Sequence, residues 1–145
     1  GVPQGFLKME EELIRITPDK LKAKSMLKMV EITLNMIKGI DITRYSSNIT
    51  KEYYEVIREL MAIVLLLDGY RTFGEGAHKK LIEYTGKNYK QFADYELSLI
   101  DDLRTVRNKI AYDGFFVERI YIERKLKDIL AVISKLKVII EKNIR

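Results

Sequence analysis

Apolar residues recur along most of the chain at steps of three and four positions, which is the spacing of one buried helix face. Short polar segments with glycine, proline or aspartate separate these stretches. The pattern therefore predicts a succession of helices. They are expected between Thr17 and Gly39, between Thr50 and Gly69, from about Ala77 to Tyr84, from about Phe92 to Tyr112, and from the end of a turn at Val117 almost to Arg145.

Two of these predicted helices are expected to supply most of the core. The second is apolar nearly all round between Ala62 and Leu67, as is typical of a helix covered on several sides. The last carries one apolar seam, formed by Ile122, Leu126, Ile129, Ile133, Leu136 and Ile140. The sequence predicts an all-α fold: an antiparallel up-and-down bundle of four to five helices in a single domain, 1–145. Residues 1–16 are expected to form an arm, a short helix or a docked extended segment.

The expected helix boundaries follow from capping residues. Thr17 is a hydroxyl cap ahead of Pro18 at the first helical position, and Thr50 is expected to cap the second helix. Glycine readily adopts the conformation that ends a helix, and it is expected to do so at Gly39, Gly69, Gly86 and Gly114. The stretch 68–78 contains three glycines and is expected to be a loop, but it lacks the Gly-Lys-Ser/Thr ending of a phosphate-binding P-loop.

Composition is that of a compact helical protein, with 47% apolar and 32% charged residues. There is no cysteine, which fits a reducing cytoplasm, and no apolar run approaches the roughly 20 residues that span a bilayer. We therefore expect a cytoplasmic protein without membrane contact. The abundance of Lys and Glu is also a tendency of thermophile proteins.

Net charge and aromatic content permit contact with nucleic acid without requiring it. The formal charge is +5 and the isoelectric point is about 9.3. Nine tyrosines could stack on bases, but the sequence shows no clustered aromatic surface. Most of the tyrosines are expected at the edge of the core instead, with the ring inside and the hydroxyl in water.

One charged residue interrupts the apolar face of the fourth predicted helix. Arg107 lies between Leu103 and Ile110 on that face. Burying a guanidinium without a partner is costly, so Arg107 is expected to face a cleft, a second subunit or an anion.

The residues around this arginine, Leu103 to Gly114, carry a resemblance to a known family. One segment is similar to the signature of the HEPN superfamily, namely Arg107-Asn108-Lys109-Ile110-Ala111-Tyr112. The family's signature is Arg, a polar residue, three further residues and His. HEPN proteins are small helical domains, and many are metal-independent ribonucleases. The resemblance implies that Arg107 stabilises the charge on a phosphate and that Asn108 orients it. Tyr112 stands where the family has its catalytic His.

Tyr112 makes the implied catalysis doubtful on chemical grounds. A tyrosine has an ordinary pKa of about 10, so roughly one phenol in a thousand is ionised at neutral pH, and it is a poor general base. Arg107 and Tyr112 are also separated by roughly 140° around a continuous helix. We therefore expect that they line one cleft only if the helix unwinds near Gly114 or a second subunit closes the site. The family dimerises through this helix, and a homodimer joined along it is predicted.

Other candidate ligand-binding residues are basic side chains and the only histidine: Arg71, His78, Arg104 and Lys109, together with Arg107. His78 is a weak candidate for a catalytic role, since a lone His near a helix start is more often a surface or hydrogen-bonded residue. No His-Glu-x-x-His spacing or Cys pair indicates a metal site, and no cofactor is predicted.

Three functions follow as alternatives. The favoured one is a HEPN-like protein with a degenerate ribonuclease motif that binds nucleic acid, a nucleotide or a protein partner in a toxin-antitoxin or defence-type system. The second is an active metal-independent HEPN ribonuclease toxin. The third is a helical-bundle scaffold unrelated to HEPN, in which Arg107 forms an ordinary buried ion pair with one Asp or Glu.

The resemblance also implies a partner. HEPN proteins are commonly encoded beside a minimal nucleotidyltransferase that neutralises them, in some cases by adding nucleotides to a Tyr two positions after the motif His. That position is Gly114 in this chain, so the modification does not carry over.

Overall fold

The computed structural model describes residues 13–145 and contains five helices and one small sheet. The elements in chain order are β1 (Leu13–Arg15), α1 (Lys20–Lys38), α2 (Ser46–Asp68), β2 (Tyr70–Thr72), α3 (Ala77–Asn88), α4 (Asp94–Asp113) and α5 (Arg119–Ile144). The prediction of a mostly helical fold with four to five helices is confirmed. The antiparallel order of the helices stays a prediction.

Helix α2 lies at the centre of the bundle. It packs against α1, α3, α4 and α5, and its most extensive packing is with α5. Ile57 and Leu60 of α2 and Ile129 and Leu136 of α5 are fully buried between the helices. The expectation that the second and last long helices dominate the core is confirmed, because an all-round apolar helix needs cover on every side.

The two strands were not expected. β1 pairs antiparallel with β2, with Ile14 opposite Arg71. The prediction of a loop across 68–78 is therefore wrong for 70–72, since a strand of three residues is too short to show the alternation that identifies strands. Of the arm, short helix or docked extended segment expected at 1–16, residues 13–15 are extended and docked on β2, and residues 1–12 lie outside the described residues.

Two helix starts differ from the prediction. Asp19, and not Thr17, caps α1: its carboxylate accepts a hydrogen bond from the backbone N–H of Lys22 at 2.9 Å, and Pro18 lies before the cap. Helix α2 begins at Ser46, a full turn before the expected cap Thr50. Thr50 is buried inside the helix and donates its hydroxyl proton to the carbonyl of Ser46 at 2.8 Å. A threonine can satisfy its hydroxyl in this way, so its presence alone does not place a cap.

The predicted helix ends are confirmed at Gly39, Gly69 and Gly114, the last two with φ of 90° and 65°. Gly86 was expected to end α3 but lies inside it. A Cβ at Gly86 would come within 2.7 Å of Cδ1 of Leu97, so the glycine allows α3 and α4 to approach closely. No helix among residues 13–145 is long and apolar enough to span a membrane.

Candidate functional site

A polar pocket of about 690 Å³ lies where the start of α3 and its preceding glycine-rich loop meet the last turns of α4. Its walls come from two stretches of the chain that are separated by about 25 residues. The lining residues are Gly74, Glu75, Gly76, Ala77, His78 and Lys79 on one side, and Arg104, Arg107, Asn108 and Tyr112 on the other.

Most of the site residues predicted from the sequence meet in this pocket: Arg104, Arg107, Asn108, Tyr112 and His78. Two predicted residues lie outside its lining. Lys109 is exposed on α4, and Arg71 lines a neighbouring pocket of about 200 Å³ that shares Ala77 and His78 with the larger one. Lys79, which the sequence analysis did not single out, adds a cation to the wall.

Arg107 is paired with an acidic residue of the central helix. Its Nε lies 3.0 Å from Oε1 of Glu55, and both side chains are about three-quarters buried. Neither of these two buried atoms has a hydrogen-bond partner among the described residues, so the N–H bond does not point at the carboxylate oxygen. The contact is an ion pair without an aligned hydrogen bond. The helical-bundle scaffold alternative expects an ion pair of Arg107 with one Asp or Glu, and this contact is such a pair. The same arginine, however, also lines an open pocket.

Glu55 is shared between two arginines. Its other oxygen, Oε2, accepts hydrogen bonds from Nε and Nη2 of Arg58 at 2.9 and 2.7 Å. Nη2 of Arg58 also donates to Glu59 at 2.6 Å. Burial lowers the pKa of Arg58, but its hydrogen bonds and charge interactions with the two glutamates outweigh this and raise it. The aligned hydrogen bonds of Glu55 thus go to Arg58, and its contact with Arg107 is one of charge alone.

Arg107 also contacts the other two motif residues within one chain. Its Nη1 donates to Oδ1 of Asn108 at 3.3 Å, and its guanidinium carbon lies 6.0 Å from the ring centre of Tyr112. Helix α4 continues unbroken to Asp113. The expectation that Arg107 and Tyr112 need an unwound helix or a second subunit to line one cleft is therefore wrong. Long side chains span the angle that separates their Cα atoms.

Arg104 is oriented by its own helix. Its Nε donates to Oδ1 of Asp101 at 2.9 Å, one turn earlier. Among the described residues, no hydrogen bond or ion pair engages the terminal nitrogens Nη1 and Nη2 of Arg104. Two planar guanidinium groups with terminal N–H donors therefore lie on the same pocket wall. This donor set matches the oxygens of a phosphate or carboxylate.

His78 lies in a strongly cationic environment. Burial is the largest cause that lowers its pKa, and the charges of Arg58, Arg107 and Arg104 lower it further against the opposing effect of Glu55. Its ring lies 6.3 Å from that of Tyr54, which is fully buried and whose hydroxyl has no hydrogen-bond partner among residues 13–145. Burial raises the pKa of Tyr54 to about 12. At neutral pH, His78 is therefore an uncharged imidazole that can accept a proton.

Within the described part of the chain, no three His, Asp or Glu side chains lie close enough together to hold a metal ion. Comparison of the chain with protein-family models, with curated proteins and with solved structures finds no match.

Proposed function

We propose that the pocket between α3 and α4 binds the phosphate groups of a nucleic acid, and that the chain is a HEPN-like protein whose motif serves binding. The single observation that carries the proposal is the meeting of Lys79, Arg104, Arg107 and Asn108 around one open cavity. RNA as the ligand comes from the resemblance in the motif. A role in a toxin-antitoxin or defence-type system, and a minimal nucleotidyltransferase as partner, belong to the same proposal.

The charges of the pocket support an anionic ligand. Among residues 13–145, three cations line it, and Glu75 is the one acid in the lining. Glu55 partly offsets Arg107, but it lies behind the arginine and outside the pocket wall. A phosphate in the pocket would meet the guanidinium nitrogens before the carboxylate of Glu55, and part of its water would already be displaced, which strengthens the attraction.

Binding of a labelled oligoribonucleotide, followed by fluorescence anisotropy, tests this proposal. Arg104→Ala should weaken binding about tenfold and reduce the dependence of affinity on salt, because a phosphate contact is lost. Arg124→Ala on α5 removes the same charge away from the pocket and is the matched control. Equal effects of the two substitutions would show that only the net charge of the chain attracts RNA.

His78 supports RNA cleavage as a second candidate function. The structure brings this histidine into the pocket of Arg107, where the motif itself lacks a His. A neutral imidazole could take the proton of a ribose 2′-hydroxyl as its oxygen bonds to the phosphorus and the P–O5′ bond breaks, with the leaving 5′-oxygen protonated by water, while Arg107 stabilises the charge on the phosphate. The favoured proposal expects no cleavage of single-stranded RNA above background at neutral pH. Cleavage that is abolished by both His78→Ala and Arg107→Ala would establish the ribonuclease instead.

The ion pair with Glu55 is the observation that favours the scaffold alternative, in which Arg107 has a structural role only. An intact fold that binds no oligonucleotide at low salt would favour it.

The homodimer along α4 stays a prediction, and light scattering at tens of micromolar tests it. The proposed binding does not depend on the dimer, because one chain assembles the whole pocket.

A further inference from the structure

We infer that the turn between α4 and α5 is a base-stacking platform, and that the nucleic acid bound by the pocket is single-stranded. The inference rests on the proposed phosphate-binding function. Its observation is a cluster of exposed aromatic rings beside the cationic pocket: Tyr112 at the end of α4, and Phe115 and Phe116 in the turn. We call these three residues the aromatic turn.

The rings of the aromatic turn are unusually exposed for their size. Phe116 is 86% exposed, Tyr112 77% and Phe115 49%. Large aromatic side chains normally gain stability by burial, so three exposed rings within five residues indicate a contact surface. The sequence analysis found no clustered aromatic surface among the tyrosines. Two of the three rings of the cluster are phenylalanines, and the expectation concerned the tyrosines alone.

The backbone of this turn is anchored by hydrogen bonds, so the exposure of the rings is not a result of a loosely held loop. Val117 is buried, its N–H donates to the hydroxyl of Ser47 at 2.8 Å, and its carbonyl accepts a hydrogen bond from the hydroxyl of Ser46. The N–H of Phe115 donates to the carbonyl of Lys109 at 3.2 Å. The turn is therefore tied at both ends to α2 and α4, and the backbone that carries the exposed rings has a defined position. A preorganised platform loses little conformational entropy on binding.

Cations lie against two of the rings. The Arg107 guanidinium lies 6.0 Å from the ring centre of Tyr112, and Nζ of Lys109 lies 5.9 Å from that of Phe115. The apolar surface is thus bordered by positive charge and continuous with the pocket, since Tyr112 belongs to both. A single strand fits this arrangement, because its phosphates can reach the arginines while its unpaired bases stack on the rings.

A second copy of this chain fits the surface less well. Two such turns facing each other would bring Arg107 and Lys109 of both copies together, in a protein whose net charge is already +5. Like charges at the edge of an apolar contact disfavour association. A polyanion with flat apolar bases complements both the charge and the rings.

The experiment uses the absence of tryptophan from the chain. Phe116→Trp places one indole at the most exposed ring position and provides a fluorescence reporter of stacking. A single-stranded oligonucleotide of about ten nucleotides should quench its emission, because stacking on a base brings the two rings into contact. The same sugar-phosphate backbone without bases, a duplex of the same sequence, and Tyr95→Trp at the exposed start of α4 are the controls.

We expect quenching only for Phe116→Trp with the base-containing single strand. Phe116→Ala should weaken binding of that strand by about fivefold or more, while binding of the abasic backbone stays unchanged. Equal binding of the base-containing and abasic strands by the unmodified protein, with no effect of Phe116→Ala, would overturn the platform and leave phosphate binding intact.

Three other results would also overturn the inference. If neither strand binds at low salt, the proposed phosphate-binding function fails, and the platform fails with it. If Phe116→Ala converts a dimer into a monomer in light scattering without changing oligonucleotide affinity, the aromatic turn is an interface between copies of the chain. Tighter binding and stronger quenching by the duplex would show that the ligand is double-stranded.

Discussion

Glu96 and Glu55 are both largely withdrawn from water and both contact a cation on another helix, yet their surroundings differ. Glu96, in the first turn of α4, is 1% exposed, and one of its oxygens accepts hydrogen bonds from two donors. Glu55, on α2, has one oxygen fully engaged by Arg58 and one that faces Arg107 without an aligned hydrogen bond. The first arrangement is typical of a structural contact and the second of a site.

Glu96 ties two helices together. Its carboxylate caps α4 by accepting from the N–H of Ala93 at 2.9 Å, and Ala93 has no side-chain acceptor, so only one half of a capping box forms. Nζ of Lys135 on α5 lies 2.6 Å from the same oxygen and also donates to the carbonyl of Gln91 at 2.9 Å. Each contact is an aligned hydrogen bond between groups of the protein, and Glu96 lines neither the pocket between α3 and α4 nor the neighbouring one formed by Tyr95, Ser98 and Leu99.

The comparison teaches that burial of a charge does not by itself distinguish structure from function. The alignment of the hydrogen bonds and access to a cavity are more informative. The ammonium of Lys135 donates hydrogen bonds within the fold, whereas Arg107 keeps N–H donors that a ligand can use. These imperfectly paired donors lower the stability of the fold. Three substitutions or measurements test this distinction.

The largest effect is expected for Lys135→Met. It keeps the length of the side chain but leaves the Glu96 carboxylate buried without its cation, which should lower the free energy of unfolding by roughly 3 kcal/mol. Urea denaturation measures the loss. Lys127→Met, at an exposed position of the same helix, is the control and should change it by less than about 0.5 kcal/mol. Equal losses of unfolding free energy in Lys135→Met and Lys127→Met would mean that the contact between Glu96 and Lys135 does not stabilise the fold. Oligonucleotide affinity should be unchanged in both variants.

A smaller effect on stability is expected for Arg107→Met. Glu55 keeps its aligned hydrogen bonds to Arg58, so the loss should be about 1 kcal/mol, while oligonucleotide affinity should fall tenfold or more. Arg58→Met makes the same change in charge and should show the opposite pattern: a larger loss of stability and a smaller loss of affinity, because Arg58 does not line the pocket. If Arg107→Met cost as much stability as Lys135→Met and left affinity unchanged, the two carboxylate contacts would be equivalent.

The smallest effect is expected for the titration of His78. Folding lowers the pKa of this histidine, so below its ordinary value of 6.5 the unfolded chain binds the proton more readily. The folded state should therefore lose stability as the pH falls from about 6.5 toward the lowered pKa. Because the chain has one histidine, its proton resonance follows this directly by NMR.

An added oligonucleotide should shift the midpoint of that titration upward, since a phosphate nearby favours the imidazolium. His78→Gln should remove this part of the pH dependence of stability. A midpoint at or above 6.5 in the free protein would show that the arginines and burial do not act on His78 as the structure indicates.

The helices could be predicted from the sequence because their apolar periodicity extends over many residues. The start of α1 was misplaced because Asp19 and Thr17 are both possible caps, and the start of α2 because this helix begins after Tyr45 without any side-chain cap. Gly86 could not be interpreted from the chain alone, since its role is to admit Leu97 of the next helix. Such a contact depends on tertiary packing and leaves no local signal.

The candidate site could be predicted in part. A charge on an apolar face was a sufficient signal for Arg107, and its neighbours in the motif followed. Glu55 was missed because its neighbours at steps of three and four residues on α2 are also charged, among them Glu52, Arg58 and Glu59. It therefore reads in the sequence as one member of a polar stripe, and only tertiary packing selects it as the partner of Arg107. The aromatic turn was missed because exposure of a phenylalanine is not visible in its sequence.

The unaligned contact between Arg107 and Glu55 has a consequence for the speed of binding. Since charge and not direction holds the guanidinium to Glu55, a turn toward an arriving phosphate breaks only the 3.3 Å hydrogen bond to Asn108, and side-chain rotations of this kind take picoseconds to nanoseconds. Encounter is then limited by diffusion in the field of the basic surface, so salt should act mainly on the association rate. The aromatic turn makes contacts that form only after encounter, and its removal should appear in the dissociation rate.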